Sequence, residues 1–513
     1  MAASTCRPTS WTLRKSFWNR IALFKFRGNK PVAIPIPSDN TRPIEAVPLV
    51  SQFPGIPIAN ILVGDSVPED EASKPTQVFY AFQVKMYSSY SPMQSGLPSI
   101  DQDPKKALDE AFTARHRKHF SVPTLPTEYA GETEPDLGFL AVAGPYSGYL
   151  EKAPRGGYQW DLQDLSNYEY YEGLYPLGVT VRFGVDERSR TLQAEEITST
   201  LGVHTPTDPQ WGLAKKIALC AVSTHVSLVR HFNWVHLASG AHLAIATRNH
   251  LTQNHPLCRL LWPHIFGSQF SNSIVTNGQM AKGGDFDSIF SFTHEGMCKL
   301  FSRTYEAFKI IVNDPLRDAD KRGITGGEFD TPSLNNLKDL FDVIHSHTTR
   351  YIDLYYNSDE EIRQDEPLQN FLTQLDTLIP NGIEGVVGNT VTLAKVSRLI
   401  ASCIYLGTVQ HDLLGTSMWN YQMWVHKQPV RVYKDGRREP LDVYQRLVNA
   451  NFNLNVSRRK LMDDFSYLGL DQKGRDAFTA FKEDLMALQA KMEGEKFAFW
   501  KIYPRMLEAN MNA

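Results

Sequence analysis

The sequence lacks most of the marks that assign a function at sight. Its five cysteines among 513 residues, Cys6, Cys220, Cys258, Cys298 and Cys403, are odd in number and widely spaced. That pattern fits neither a disulfide framework nor a paired-cysteine zinc site, and a reducing, cytoplasmic setting is expected. An excess of one charge is missing too. With 53 basic and 56 acidic residues the formal net charge is −3, so no global field draws nucleic acid to the chain. No run approaches the roughly 20 apolar residues that span a bilayer. The phosphate-loop, dinucleotide, nucleophile-elbow and zinc-protease signatures are absent, as are internal repeats and low-complexity tracts.

What is abundant is apolar and aromatic surface. Hydrophobic residues make up 42%, with 27 Phe, 21 Tyr and 9 Trp, enough to build one large core at roughly 25 cal/mol per Å² buried. Residues 1–120 are rich in proline and short apolar runs and read as extended chain packed on a body formed by residues 121–513. Within the first part, residues 10–30 are basic and aromatic. They read as a surface helix or tail, with an amphipathic segment touching a membrane surface as the functional alternative. Alternating apolar residues around a polar turn predict a β-hairpin over 177–197. After Pro209 the pattern is helical, so the expected class is mostly α with a small hairpin region. Apolar helices are expected at 211–237 and 392–411, amphipathic ones at 332–356 and 366–378, and an exposed one at 473–492.

Histidines stand out in the two apolar helices. His225, His231 and His236 fall on the first and His411 on the second. Each buried imidazole needs partners for its ring nitrogens, and one metal ion satisfies several at once. Spacing sets a condition on this. A regular α-helix turns 100° per residue, so histidines five or six apart diverge. Joint coordination therefore requires a π-type widening, which tends to occur at functional sites.

The stretch around these residues resembles the lipoxygenase family. The shared features are LAK (Leu213 to Lys215), LVxH (Leu228 to His231), IAT (Ile245 to Thr247), HLxxxHP (His250 to Pro256) and LLxPH (Leu260 to His264). GGDFD (Gly283 to Asp287), the segment from Asp353 to Phe371 and the His411 helix follow in the family's order. The resemblance covers about residues 140–513 and implies the helical lipoxygenase catalytic fold, without a counterpart of the family's N-terminal β-barrel.

It also implies a non-haem iron site, manganese in some members, built from three histidines, a weaker Asn-type ligand and the carboxylate of the final residue. By resemblance His231 takes the second histidine position and His411 the third. The family's five-residue spacing puts the first at Val226, where the nearest histidine is His225; it is preferred, with His236 as the alternative. Gly415 stands where the family has its Asn, and Met418 where a Gln often links metal site and substrate pocket. Ala513 falls where the terminal carboxylate is placed, and alanine is adequate because only the main-chain carboxylate is needed. Ser273 falls where a small residue gates oxygen access to the substrate pocket. His250, His255 and His264 read as capping or packing residues.

Three functions are compatible with this pattern. The first is hydrogen abstraction from a polyunsaturated lipid or similar polyene with dioxygen insertion, by a monomer. The second is other oxidative or cyclising chemistry on the same fold, with altered metal or haem ligation. The third is a non-catalytic lipid-binding relative. No side chain is assigned a catalytic role beyond metal ligation.

Overall fold

The computed structural model describes residues 34–72, 126, 134–425, 427–437, 447, 459–496 and 498–511. The boundary expected near residue 120 and the basic stretch 10–30 lie outside them.

The described chain begins as a strap. Strands β1 (Ala46–Pro48) and β2 (Leu62–Gly64) pair antiparallel. The expected hairpin forms as β5 (Val179–Asp186) and β6 (Thr191–Ser199), pairing from Val179↔Ser199 to Asp186↔Thr191 with a one-residue register shift between Arg182 and Phe183. Val179, Val181 and Phe183 are buried on one face, as the alternation requires. At the turn Asp186 Oδ1 accepts from the N–H groups of Arg188 and Ser189. The hairpin is part of a larger antiparallel sheet ordered β3 (Glu151–Lys152), β4 (Tyr158–Asp161), β5, β6 and β7 (Gly202–His204). Strands of two to four residues leave too short an alternation to read from sequence.

The body is helical. Its axis is one unbroken helix, Trp211–His250, made of α1 (Trp211–His225), a π-helical stretch Val226–Gly240 and α2 (Ala241–His250). By length and composition it could cross a bilayer, yet 72% of its most apolar stretch is buried inside the molecule. It is the central core helix. Around it lie α3 (Pro256–Ile265), α4 (Ser268–Val275), α5 (His294–Glu306), α6 (Pro332–Ile352), α7 (Glu366–Leu378) and α8 (Leu393–Tyr405). Helix α8 runs on through π turns at Leu406–Gln410 and Leu413–Ser417 into α9 (Met418–Gln422), and α10 (Gln472–Glu493) packs on α6.

Side-chain caps fix several of the helix starts. Thr392 accepts from Lys395 N at α8 and Asp471 from Gly474 N at α10. Asp365 accepts from Leu368 N at α7 and also bonds His255 Nε2 and Tyr356 Oη. Each such cap is worth about 1 kcal/mol. The acidic run Asp359 to Glu361 opens a short helix capped by Ser358.

The strap, residues 34–72, is tied to the core helices. Glu71, fully buried, pairs with Arg248 of α2 at 2.7 Å and accepts from Phe270 N of α4 at 3.0 Å. Pro35 O accepts from Trp262 Nε1 at 2.7 Å. The four described cysteines are buried thiols, none of them in a disulfide among the described residues.

Candidate metal centre

The π stretch is what brings histidines together. In it the N–H of Ala241 reaches back five residues to His236 O, and Ser239 Oγ donates to Trp234 O, also five back. With i→i+5 bonding, residues five apart sit over one another. His231 and His236 therefore share a face. The His411 segment is widened in the same way, its N–H bonding Leu406 O.

His231, His236 and His411 converge, each offering a ring nitrogen within 4.8 Å of the others. The three ring centroids are 5.0 Å apart in every pair. All three residues are buried, and Nε2 of His231 and His236 are 3.3 Å apart.

Asn272 of α4 orients one of them. Its Nδ2 donates to His236 O at 3.2 Å, which leaves its Oδ1, 3.0 Å from His236 Nδ1, as acceptor. His236 then carries its proton on Nδ1 and presents an Nε2 lone pair to the cluster, as a metal ligand must.

His225, preferred over His236 on sequence, is not in this group. It ends α1, where the helix is still regular, and six residues from His231 put it on another face. Its Nδ1 is 2.7 Å from Tyr149 Oη, and burial pushes its pKa down to about 3. The five-residue spacing demanded by the resemblance is met by His231 with His236, not by Val226 with His231.

Gly415 lies in the last π turn against His231. A Cβ there would stand 2.8 Å from His231 Nε2 and 3.1 Å from Cε1. The imidazole thus fills the space a side chain at 415 would need. Met418 is fully buried. One turn further Gln422 is also fully buried, its Oε1 3.5 Å from Ser227 Oγ of the π stretch. That link between helices, like Asn272, was missed on sequence. Gln422 stands four residues after Met418, on the same helical face, and that spacing was the signal available.

Ser273 follows Asn272 on α4, half-buried. Both line a cavity of about 240 Å³ against Val63, Gly64 and Phe53 of the strap. The cavity comes within one side chain, Asn272, of the histidine cluster. Ala513 lies outside the described residues. The chain approaches the cluster at Met511, seated against Gly240 and Gly407, and His264 Nδ1 is 2.7 Å from Ala509 O. His255 caps α3, accepting from Leu257 N at 3.1 Å.

Three buried imidazoles converge from two widened core helices, a geometry able to hold a metal ion. The lipoxygenase family model matches residues 174–451, more than half of the chain, and the chain belongs to the lipoxygenase family. It is 23% identical over 308 residues to the epidermal-type polyunsaturated fatty acid (12S)/(13S)-lipoxygenase of Mus musculus, covering 56% of this chain and 46% of that protein. It is 28% identical over 237 residues to polyunsaturated fatty acid lipoxygenase ALOX15 of Oryctolagus cuniculus, covering 44% and 34%. The matches thus span less than half the length of these relatives. A calcium-dependent 11R-lipoxygenase has the same fold, with a TM-score of 0.73 at 15% identity, covering 99% of this chain and 81% of that one. Coral 8R-lipoxygenase gives 0.70 at 13%, covering 99% and 82%.

Proposed function

We propose that this protein is an iron-dependent lipoxygenase that oxygenates a polyunsaturated acyl chain. The observation that carries the reading is the convergence of His231, His236 and His411 within 4.8 Å. Neutral imidazoles in a buried site suit a first-row metal, and three ligands arriving together favour a bare ion over a haem. When bound, iron supplies the one-electron chemistry by which a bis-allylic hydrogen is removed before dioxygen adds.

The chain's own residues hold and shape this site. His231, His236 and His411 are the protein ligands, and Asn272 keeps the proton of His236 on the nitrogen facing away. Gly415 leaves room for the His231 ring and contributes no side-chain donor. The carboxylate of Ala513 is the anionic ligand assigned by the resemblance. Ser273 borders the cavity next to Asn272, a position from which its size would govern dioxygen approach.

The test is metal analysis of purified protein, followed by conjugated-diene absorbance with linoleate or arachidonate. About one iron per chain and diene formation are expected. Protein that takes up no metal from iron-supplemented medium overturns the reading. Bound iron with no diene from either acid would instead favour other chemistry on this fold.

A further inference from the structure

Arg230 and Gln410, the residues immediately before His231 and His411, line a second cavity to which none of the three clustered histidines contributes. Its wall is mostly apolar, including Val142, Val312, Leu334, Leu337 and Leu414, and the free space is about 50 Å³. That is several times the roughly 10–15 Å³ one water needs.

The Arg230 guanidinium is held without being neutralised. It lies 4.7 Å from the centroid of the Tyr149 ring and 5.6 Å from that of Trp234. It also fills the notch left by Gly148, where a Cβ would come within 1.8 Å of Nη1. Tyr149 is itself fixed by His225, which gives that histidine a structural task. Among the described residues the guanidinium has no hydrogen-bond acceptor and no carboxylate partner. Arg322 lines the same cavity, but its donors are committed to Asp318 at 2.8 Å and to the carbonyls of Leu150 and Ser147. Glu151 also acts on Arg322, without lining the cavity, and is engaged by Gln159. Of the residues that line the cavity two are guanidinium groups and one, Asp318, is a carboxylate, so the lining itself carries one excess positive charge.

We propose that this cavity binds a small monocarboxylate, its oxygens taking the N–H groups of Arg230 and its carbon end lying against the apolar wall. A planar guanidinium with free donors matches a carboxylate edge to edge. One negative charge balances the excess, whereas a phosphate dianion would crowd Asp318. The site stands apart from the histidine cluster and does not depend on how that cluster is read.

Calorimetric titration of the metal-loaded chain with butyrate tests this, with acetate, inorganic phosphate and chloride as comparison probes. One butyrate per chain is expected, bound more tightly than phosphate or chloride, with at least a tenfold loss in Arg230→Met and unchanged iron content in that variant. Gly148→Ala keeps the charge but takes the guanidinium's seat, so it should lose affinity as well, while Arg230→Lys recovers part. On the unmodified chain butyrate should raise the Tm saturably, and equal concentrations of chloride should not. Failure of butyrate to bind, or equal affinity in Arg230→Met, overturns the proposal.

Discussion

Gly415 shows how little room the histidine cluster leaves. Because a methyl group at 415 would press on the nitrogen that His231 turns to the cluster, Gly415→Ala is expected to rotate that ring and weaken metal binding. The expected loss is roughly 10–100-fold, the size seen when ligand orientation is disturbed. Iron content after dialysis against a chelator measures it, and unchanged retention would mean the ring is not held there. Single alanine replacements of His231, His236 and His411 should each leave protein with little or no iron. His225→Ala should keep its iron and instead lose about 1–3 kcal/mol of stability, because the buried Tyr149 hydroxyl is left without a partner. Iron loss in His225→Ala, or full iron in His236→Ala, would reverse the assignment.

At the scale of the element, regular helices could be read from the sequence and irregular ones only in part. The helix expected at 366–378 is found at Glu366–Leu378, because proline, an acidic cap and an amphipathic stripe all act locally. The core helix was expected to end at 237 and runs to His250; Ser239, Gly240 and His242 lower its local helical pattern, and tertiary packing carries it through. The need for a π widening followed from histidine spacing, but not its register. Family motifs fixed His231 in sequence, and the neighbour was sought toward the N-terminus, whereas the widened turns place His236 beside it. Nothing local announces Asn272, since 36 residues separate it from His236. Its contribution is separable by substitution. Asn272→Leu should reduce iron affinity by about 10–100-fold, while Asn272→Gln retains part of it. If Leu and Gln variants hold iron as the parent does, the side chain only packs.

At the scale of the whole molecule, three buried histidines tie separate parts of the fold together, and all are held neutral. His242 of α2 bonds Leu62 O of the strap at 3.1 Å, His264 of α3 bonds Ala509 O, and His347 of α6 stacks on Phe481 of α10 at 4.1 Å. Burial pushes His242 and His264 down to about 4, and pushes His347 well below the ordinary value of 6.5, with His264 and Arg350 adding to the effect. The sign follows from these depressed values. The unfolded chain takes up protons near pH 6.5 and the folded chain does not, so this contribution is fully present above that pH and is lost as pH falls below it. One unit below, each histidine costs about 1.4 kcal/mol, on the order of 4 kcal/mol for the three, a large part of an ordinary stability of about 5–15 kcal/mol. Glu71, whose carboxyl is raised by burial, works in the opposite direction but is held by Arg248. His347 isolates the effect, because neither of its ring nitrogens has a hydrogen-bond partner among the described residues and a phenyl ring preserves the stack. His347→Phe should therefore lose less Tm than the parent between pH 7.5 and pH 5.5, with iron content equal in both. The same fall in Tm for the two proteins would show that His347 takes up its proton without opening the contact between α6 and α10.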